Sequence, residues 1–325
     1  MIHCDAGSRV VRSYPVKPEG AGYKAEIVNI LSSSDSWFRP SDICAAPDGS
    51  IYVADWNDGD VGGHNMADHD PAKMTGRIYR VAPKGNKPSK PKLNFTKISG
   101  SVAALQSPNL STRYLAWTEL NALQEKVENE LLKIWNGDDQ RMRGRVLQLL
   151  ARIKGQEKKY IQQAVKDQNS DIRIAGLRMA SQLKLDLIPL IKILVNDSSA
   201  QVRRECALSL RHNSSSEGPK LWAQLAQQHD GKDRWYLEAL GIGADKNEDK
   251  FFASWLESAG ENWDTLAGRD IIWRSRSPKA LAYLAKIIMN EKTPDQERPR
   301  YFRALDFIPQ GPEKEIALLE LLTLV

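Results

Sequence analysis

Evenly spaced arginines constrain this chain more than any other feature. Arg113, Arg143, Arg173 and Arg203 stand 30 residues apart, and Arg234, Arg269 and Arg300 follow at intervals of 31, 35 and 31. The text around them repeats too. Asp167-Gln-Asn-Ser-Asp-Ile-Arg173-Ile-Ala-Gly-Leu is answered by Asp197-Ser-Ser-Ala-Gln-Val-Arg203-Arg-Glu-Cys-Ala-Leu. In both, an aspartate opens a polar turn, and Ile/Val-Arg leads into small and apolar residues. Self-similarity at a fixed period marks a chain built from stacked supersecondary units, so residues 105–325 read as an α-solenoid.

Each part of the repeat has a physical role. Asp167 and Asp197 precede helix starts, with Ser170, Ser198 or Ser199 available as N-caps. Ile172, Ala175, Leu177, Ala180 and Leu183 recur at helical spacing, which predicts one buried face. Leu187–Val195 is apolar nearly all round and suits a helix sandwiched between neighbours. A guanidinium can fork onto a carboxylate of the next repeat, so Arg113, Arg143, Arg173 and Arg203 with Asp167 and Asp197 predict a ladder along the stack. Tryptophans at 117, 135, 222, 235, 255, 263 and 273 punctuate the helices as core packing. These residues resemble HEAT-type repeats in a short, 30-residue form, most closely over 169–230. An irregular helical bundle is the alternative.

The first 83 residues follow another period. Val10–Tyr14, Tyr23–Ile30, Ser41–Ala46, Ile51–Asp55 and Arg77–Val81 alternate apolar with polar residues, as strands do. Pro47-Asp-Gly-Ser50 joins two of them through a hairpin: proline presets φ and glycine accepts the positive φ of the turn. Residues 84–104 carry five lysines and two prolines with no acidic residue, and read as an extended linker. The whole is therefore α+β and multidomain.

Charge excludes some functions. Residues 1–104 hold 13 Lys/Arg against 11 Asp/Glu, and the remainder 33 against 30. Arg141, Arg143, Arg145 and Arg152 form the densest basic patch, but the near-equal acid count argues against nucleic acid. No apolar run is long enough to cross a membrane, and no signal-peptide pattern opens the sequence. Cys4, Cys44 and Cys206 form no C-x-x-C pair and no C-x-x-C-H haem site.

Arg39-Pro40-x-Asp42-Ile43, Pro47-Asp48-Gly49-x-Ile51-Tyr52-Val53-Ala54-Asp55-Trp56 and Gly76-Arg77-Ile78-Tyr79-Arg80-Val81 resemble one blade of the NHL-repeat and sugar-dehydrogenase-like six-bladed β-propellers. With Asp5-Ala-Gly7, Val10-Val-Arg-Ser-Tyr-Pro-Val16, Gly20–Ile30, Val61-Gly-Gly-His64 and Ser107–Trp117, the order of motifs is similar to the membrane-bound-dehydrogenase-like family of planctomycetes and verrucomicrobia. That family joins a propeller to HEAT repeats and then to a C-terminal c-type cytochrome domain. The resemblance implies that residues 1–83 are the last part of a propeller, 84–104 a linker and 105–325 the solenoid. It further implies a fragment whose remaining blades and cytochrome module lie outside the sequence, a quinone or haem c in the intact protein, and a periplasmic or cell-surface location. None of these groups is expected in this stretch itself.

Residues 56–76 lengthen a connection that is short in propellers. Asp55, Asp58, Asp60, His64, Asp68, His69 and Asp70 fall within 16 residues. A solvated polar loop, a substrate contact and a metal site all fit, although the spacing matches no standard zinc or calcium pattern. In the substrate reading His64 moves a proton with Asp58 and Asp55 beside it, since an imidazole titrates near neutrality. Arg77 and Arg39 would bind the substrate's anionic group. Two functions follow: a piece of a (quino)protein-dehydrogenase-like oxidoreductase, inactive alone, or a non-catalytic scaffold that binds a protein partner on its helical surface.

Overall fold

The computed structural model describes residues 1–59, 72 and 75–322. Small antiparallel sheets occupy the first part and helices the rest. The chain divides into two compact units. One comprises Met1–Pro18 and Tyr23–Glu157, the other Glu19–Gly22 and Lys158–Val325.

In the first unit, β1 (Ile2–Asp5), β2 (Val10–Ser13) and β5 (Val28–Ser32) form one sheet in the order β1-β2-β5. A short ribbon of β3 (Val16–Glu19) and β4 (Gly22–Ala25) interrupts it. The run 23–30, expected as one strand, is therefore split. The Glu26 amide donates to Pro15 O at 3.1 Å and its carboxylate meets Lys17 Nζ at 2.8 Å, which ends one ladder and starts the next. The second sheet runs β6 (Pro40–Ala45), β7 (Ile51–Asp55), β8 (Arg77–Val81). Its β6–β7 turn closes as the sequence predicts: Gly49 has φ 83°, and Asp48 Oδ1 accepts from the Ser50 amide at 3.0 Å and its hydroxyl at 2.6 Å. Val10, Val11, Phe38 and Val53 are buried, and Phe38 meets Tyr79 edge-on.

Helices α1 (Ile98–Ala104), α2 (Leu110–Leu123), α3 (Glu128–Trp135) and α4 (Gln140–Leu150) complete that unit. The lysine-rich stretch thus ends at Lys97, and a helix forms before residue 105. The second unit holds α5 (Glu157–Ala164, its first residue falling in the first unit), α6 (Ser170–Gln182), α7 (Ile188–Leu194), α8 (Ala200–Ser209), α9 (Gly218–Ala226), α10 (Arg234–Gly243), α11 (Glu248–Ala259), α12 (Leu266–Arg274), α13 (Ala280–Met289), α14 (Arg298–Leu305) and α15 (Pro312–Leu321).

Alternate helices of the second unit are neighbours. α6, α8, α10, α12 and α14 touch in succession, while α7 meets α9, α9 meets α11, and α13 meets α15. Side chains buried between them, among them Ile172, Leu177, Val202, Leu240, Phe252, Ile272 and Leu284, make a continuous apolar interior. α7 is buried along one stripe, Ile188, Leu190, Ile191 and Leu194, whereas Ile193 is 49% exposed, so this helix is not covered all round. Trp135, Trp222 and Trp255 are core residues, but Trp235 is 58% exposed and lies outside it.

The starts of α2, α6 and α8 are built alike. Asn109, Asn169 and Ser199 cap them through their side chains. Two residues earlier, Ser107, Asp167 and Asp197 accept from the cap's own amide. For α6 the cap is Asn169, not Ser170, because the Asp167 bond places Asn169 in the extended conformation that a cap requires.

Candidate functional site

The repeat explains what its arginines do. Arg113, Arg173 and Arg203 follow their caps by four residues, so each guanidinium folds back over the preceding turn. Arg113 Nη1 donates to Ser107 O and Pro108 O at 2.7 and 2.8 Å. Arg173 Nη1 donates to Asp167 O and Gln168 O at 2.8 and 2.9 Å, and Arg203 Nη1 to Asp197 O and Ser198 O at 2.6 and 3.2 Å. A cation is thereby held on carbonyls that would otherwise lack donors. Arg143 takes a variant, with Nε on Trp135 O at 2.8 Å and its guanidinium over the Trp135 ring. Arg234 has shifted register: it comes directly after its cap, Asp233. The carboxylate fork between repeats is seen at Arg173–Asp197.

The candidates of the first unit also meet. Asp55 Oδ1 accepts from the amides of Arg39 at 2.7 Å and Asn57 at 3.0 Å, and Arg77 Nε donates to Oδ2 at 2.7 Å. Arg77 Nη1 reaches Asp35 at 2.7 Å. The Trp37 amide first, then Arg77, holds the Asp35 carboxyl below its ordinary range, and Asp35 in turn raises Arg77. Arg39 donates to the carbonyls of Ser36, Phe38 and Gly59 at 2.8, 3.0 and 2.7 Å. Asp58 is buried, with its amide on Trp37 O and Oδ2 accepting from the Trp56 indole at 3.2 Å. His64 lies outside the described residues, as do Asp60, Asp68, His69 and Asp70.

This arrangement has clear chemical consequences. The Asp55 side chain is 0% exposed and meets three donors, so it offers no surface to a small molecule. Arg39 could bind an anion only by giving up these bonds, whereas Arg77 keeps one buried guanidinium nitrogen, Nη2, without a hydrogen-bond partner among the described residues. Among the described residues of this cluster, a quinone's carboxylates would find that one unengaged donor and no matching set. Covalent haem does not fit either, since Cys4, Cys44 and Cys206 are far apart in sequence and none stands in a C-x-x-C-H motif. Among the described residues no group of three or more His, Cys, Asp or Glu is placed to hold a metal. No described helix is long and apolar enough to cross a membrane.

Two clusters of the second unit escaped sequence reasoning. The tip Glu19–Gly22 is bound within it: the Ala21 amide donates to Asp233 Oδ2 at 2.6 Å, Gln201 Nε2 donates to Gly22 O at 2.8 Å, and Arg204 donates to Ala21 O. A Cβ on Gly22 would overlap the indole of Trp235, which accounts for glycine there. Asp233 meanwhile caps α10, its Oδ1 accepting from the Tyr236 amide at 3.0 Å. The second cluster is a buried relay. His229 Nε2 lies 3.0 Å from Asp270 Oδ2, and Arg300 Nη2 donates to Asp270 Oδ1 at 2.6 Å. Asp270 is drawn below the usual carboxylate range by His229 and Arg300, against the opposing effect of burial. The His229 side chain is 1% exposed and stacked on Tyr236.

Residues 1–85 match a family described as a domain of unknown function, DUF7133. A comparison with curated proteins gave no match.

Proposed function

We propose that this chain is a HEAT-type scaffold, joined to the closing part of a sugar-dehydrogenase-like propeller, and that its own role is to present a binding surface to a protein partner. One observation carries this reading. Asp35, Asp55, Arg39 and Arg77 bond one another and backbone, with Asp55 wholly enclosed, while α6, α8, α10, α12 and α14 form a repeated layer of helices. Such arrays offer an extended surface and no chemistry of their own. The β6-β7-β8 sheet with its Pro-Asp-Gly turn supports the comparison with a propeller blade. Oxidation of a sugar, in the intact protein, then belongs to other blades and to a group that they hold, and a periplasmic or surface location goes with that reading.

The dehydrogenase reading assigned proton transfer to His64, with Asp58 and Asp55 in support and Arg77 and Arg39 on the substrate. Dye-linked oxidation across a sugar panel separates the two. His64→Ala and Asp58→Asn in the full-length protein are expected to leave turnover unchanged. Loss of turnover in both, with the fold intact by circular dichroism, would place catalysis in this loop.

A further inference from the structure

Five arginines converge on one groove of the second unit. Arg234 comes from α10, Arg274 from α12, and Arg300 and Arg303 from α14, three helices that neighbour one another in the same layer. Arg276 enters from the turn after α12, and the cavity between them is about 280 Å3. Two carboxylates answer these five cations. Glu238 lies 2.7 Å from Arg274 and also pairs with Arg234, while Asp270 takes Arg300 at 2.6 Å. The groove thus keeps an excess of positive charge, carried by Arg276 and Arg303, for which no ion pair is seen among the described residues.

Aromatic rings fix the guanidinium planes. Arg234 and Arg300 lie 4.7 and 4.2 Å from the centroid of Trp273, and Arg276 and Arg303 lie 4.7 and 6.0 Å from that of Phe307. A guanidinium stacked on a ring keeps its N–H edge free for a planar anion, and the stacking holds it ready. Arg276 spends Nη1 on the carbonyls of Trp273, Arg274 and Ser275, so its position is set by the end of α12. Burial, then Arg274, disfavours its charge, and an anion in the groove would relieve both.

We propose that this groove docks an acidic segment of a partner protein, whose Asp or Glu carboxylates take the guanidinium edges of Arg276 and Arg303. The proposal rests on the scaffold reading and names the chemistry of its partner. Nucleic acid is disfavoured because bases need open aromatic faces to stack on. Both rings here already carry two guanidiniums each.

The probe is a labelled oligoglutamate peptide, followed by fluorescence anisotropy with the whole chain at low salt. Binding is expected, and added salt should weaken it. Arg303→Glu should raise Kd by about tenfold or more, Arg303→Gln by less, and Lys250→Glu, an equal charge change at an exposed residue of α11, not at all. Circular dichroism melts confirm that the variants are folded. Equal Kd values for Arg303→Glu and Lys250→Glu, or no binding of the peptide, would overturn the proposal. So would tighter binding of a single-stranded oligothymidylate lost in Arg303→Glu. Failure here removes the groove alone; the scaffold reading stands or falls on the turnover assay.

Discussion

Arg173 grips Asp197 across one repeat boundary. Nη2 donates to Oδ1 at 2.7 Å and Nε lies 2.7 Å from Oδ2, with the two side chains 13% and 9% exposed. Asp197 Oδ1 also accepts from the Ser199 amide at 2.8 Å, and Arg173 Nη1 donates to two carbonyls of its own turn. One ion pair therefore ties the turn before α6 to the turn before α8.

Removing one member of so enclosed a pair leaves an uncompensated charge. Arg173→Ala is expected to cost about 3 kcal/mol in urea unfolding. Arg173→Lys should cost less, since charge is kept while the fork is lost. Equal midpoints for the two would mean that a charge without the planar fork contributes nothing.

Leu177 is 0% exposed inside the stack. Leu177→Ala should cost about 2–5 kcal/mol through the cavity left behind. Arg211 makes an exposed pair with Asp245 at 2.8 Å, so Arg211→Ala should cost below about 1 kcal/mol. Comparable melting shifts would mean that the buried face of α6 is misplaced.

Asp233 serves two segments at once, the first turn of α10 and the Ala21 amide. Asp233→Ala should cost about 1–2 kcal/mol as a lost cap. It should also speed hydrogen exchange at the Ala21 amide. A cap loss with unchanged exchange at Ala21 would show that the tip is held without this carboxylate.

Asp270 contributes to the acid limb of stability. Its folded pKa is lowered, so the stability it contributes is present above the unfolded value of about 4 and is lost as pH falls through the folded one. Thermal melts below about pH 4 should decline in the parent protein and decline less in Asp270→Asn. Parallel declines would assign the acid limb to other carboxylates, such as Asp230 and Glu238, which are also lowered.

What could be read from the sequence was local. The 30-residue phrase located α6 and α8, because caps, apolar spacing and Ile/Val-Arg all act within one helix turn or two. The Pro-Asp-Gly hairpin was legible for the same reason. Contacts distant in sequence were not: Ala21 meets Asp233 across 212 residues, and His229 meets Asp270 across 41. Arg234 looked like one more mark on the ruler, but its cap lies one residue before it, so its guanidinium goes to Glu238 and Trp273. Asp55 ends β7 and Arg77 starts β8, at the two ends of the connection the sequence marks, but that they bond each other was not legible. That Asp55 would be sealed by Arg39 and Asn57 depends on β6–β7 pairing, which a list of carboxylates does not reveal.

Native-state hydrogen exchange on Arg173→Ala tests the repeated stack most directly. Where each repeat is coupled chiefly to its neighbours, a break between two of them stays local. Protection is expected to fall in α6 and α8 and to persist in α13, α14 and α15. A uniform loss from α6 through α15 would contradict the account and describe a single irregular core instead.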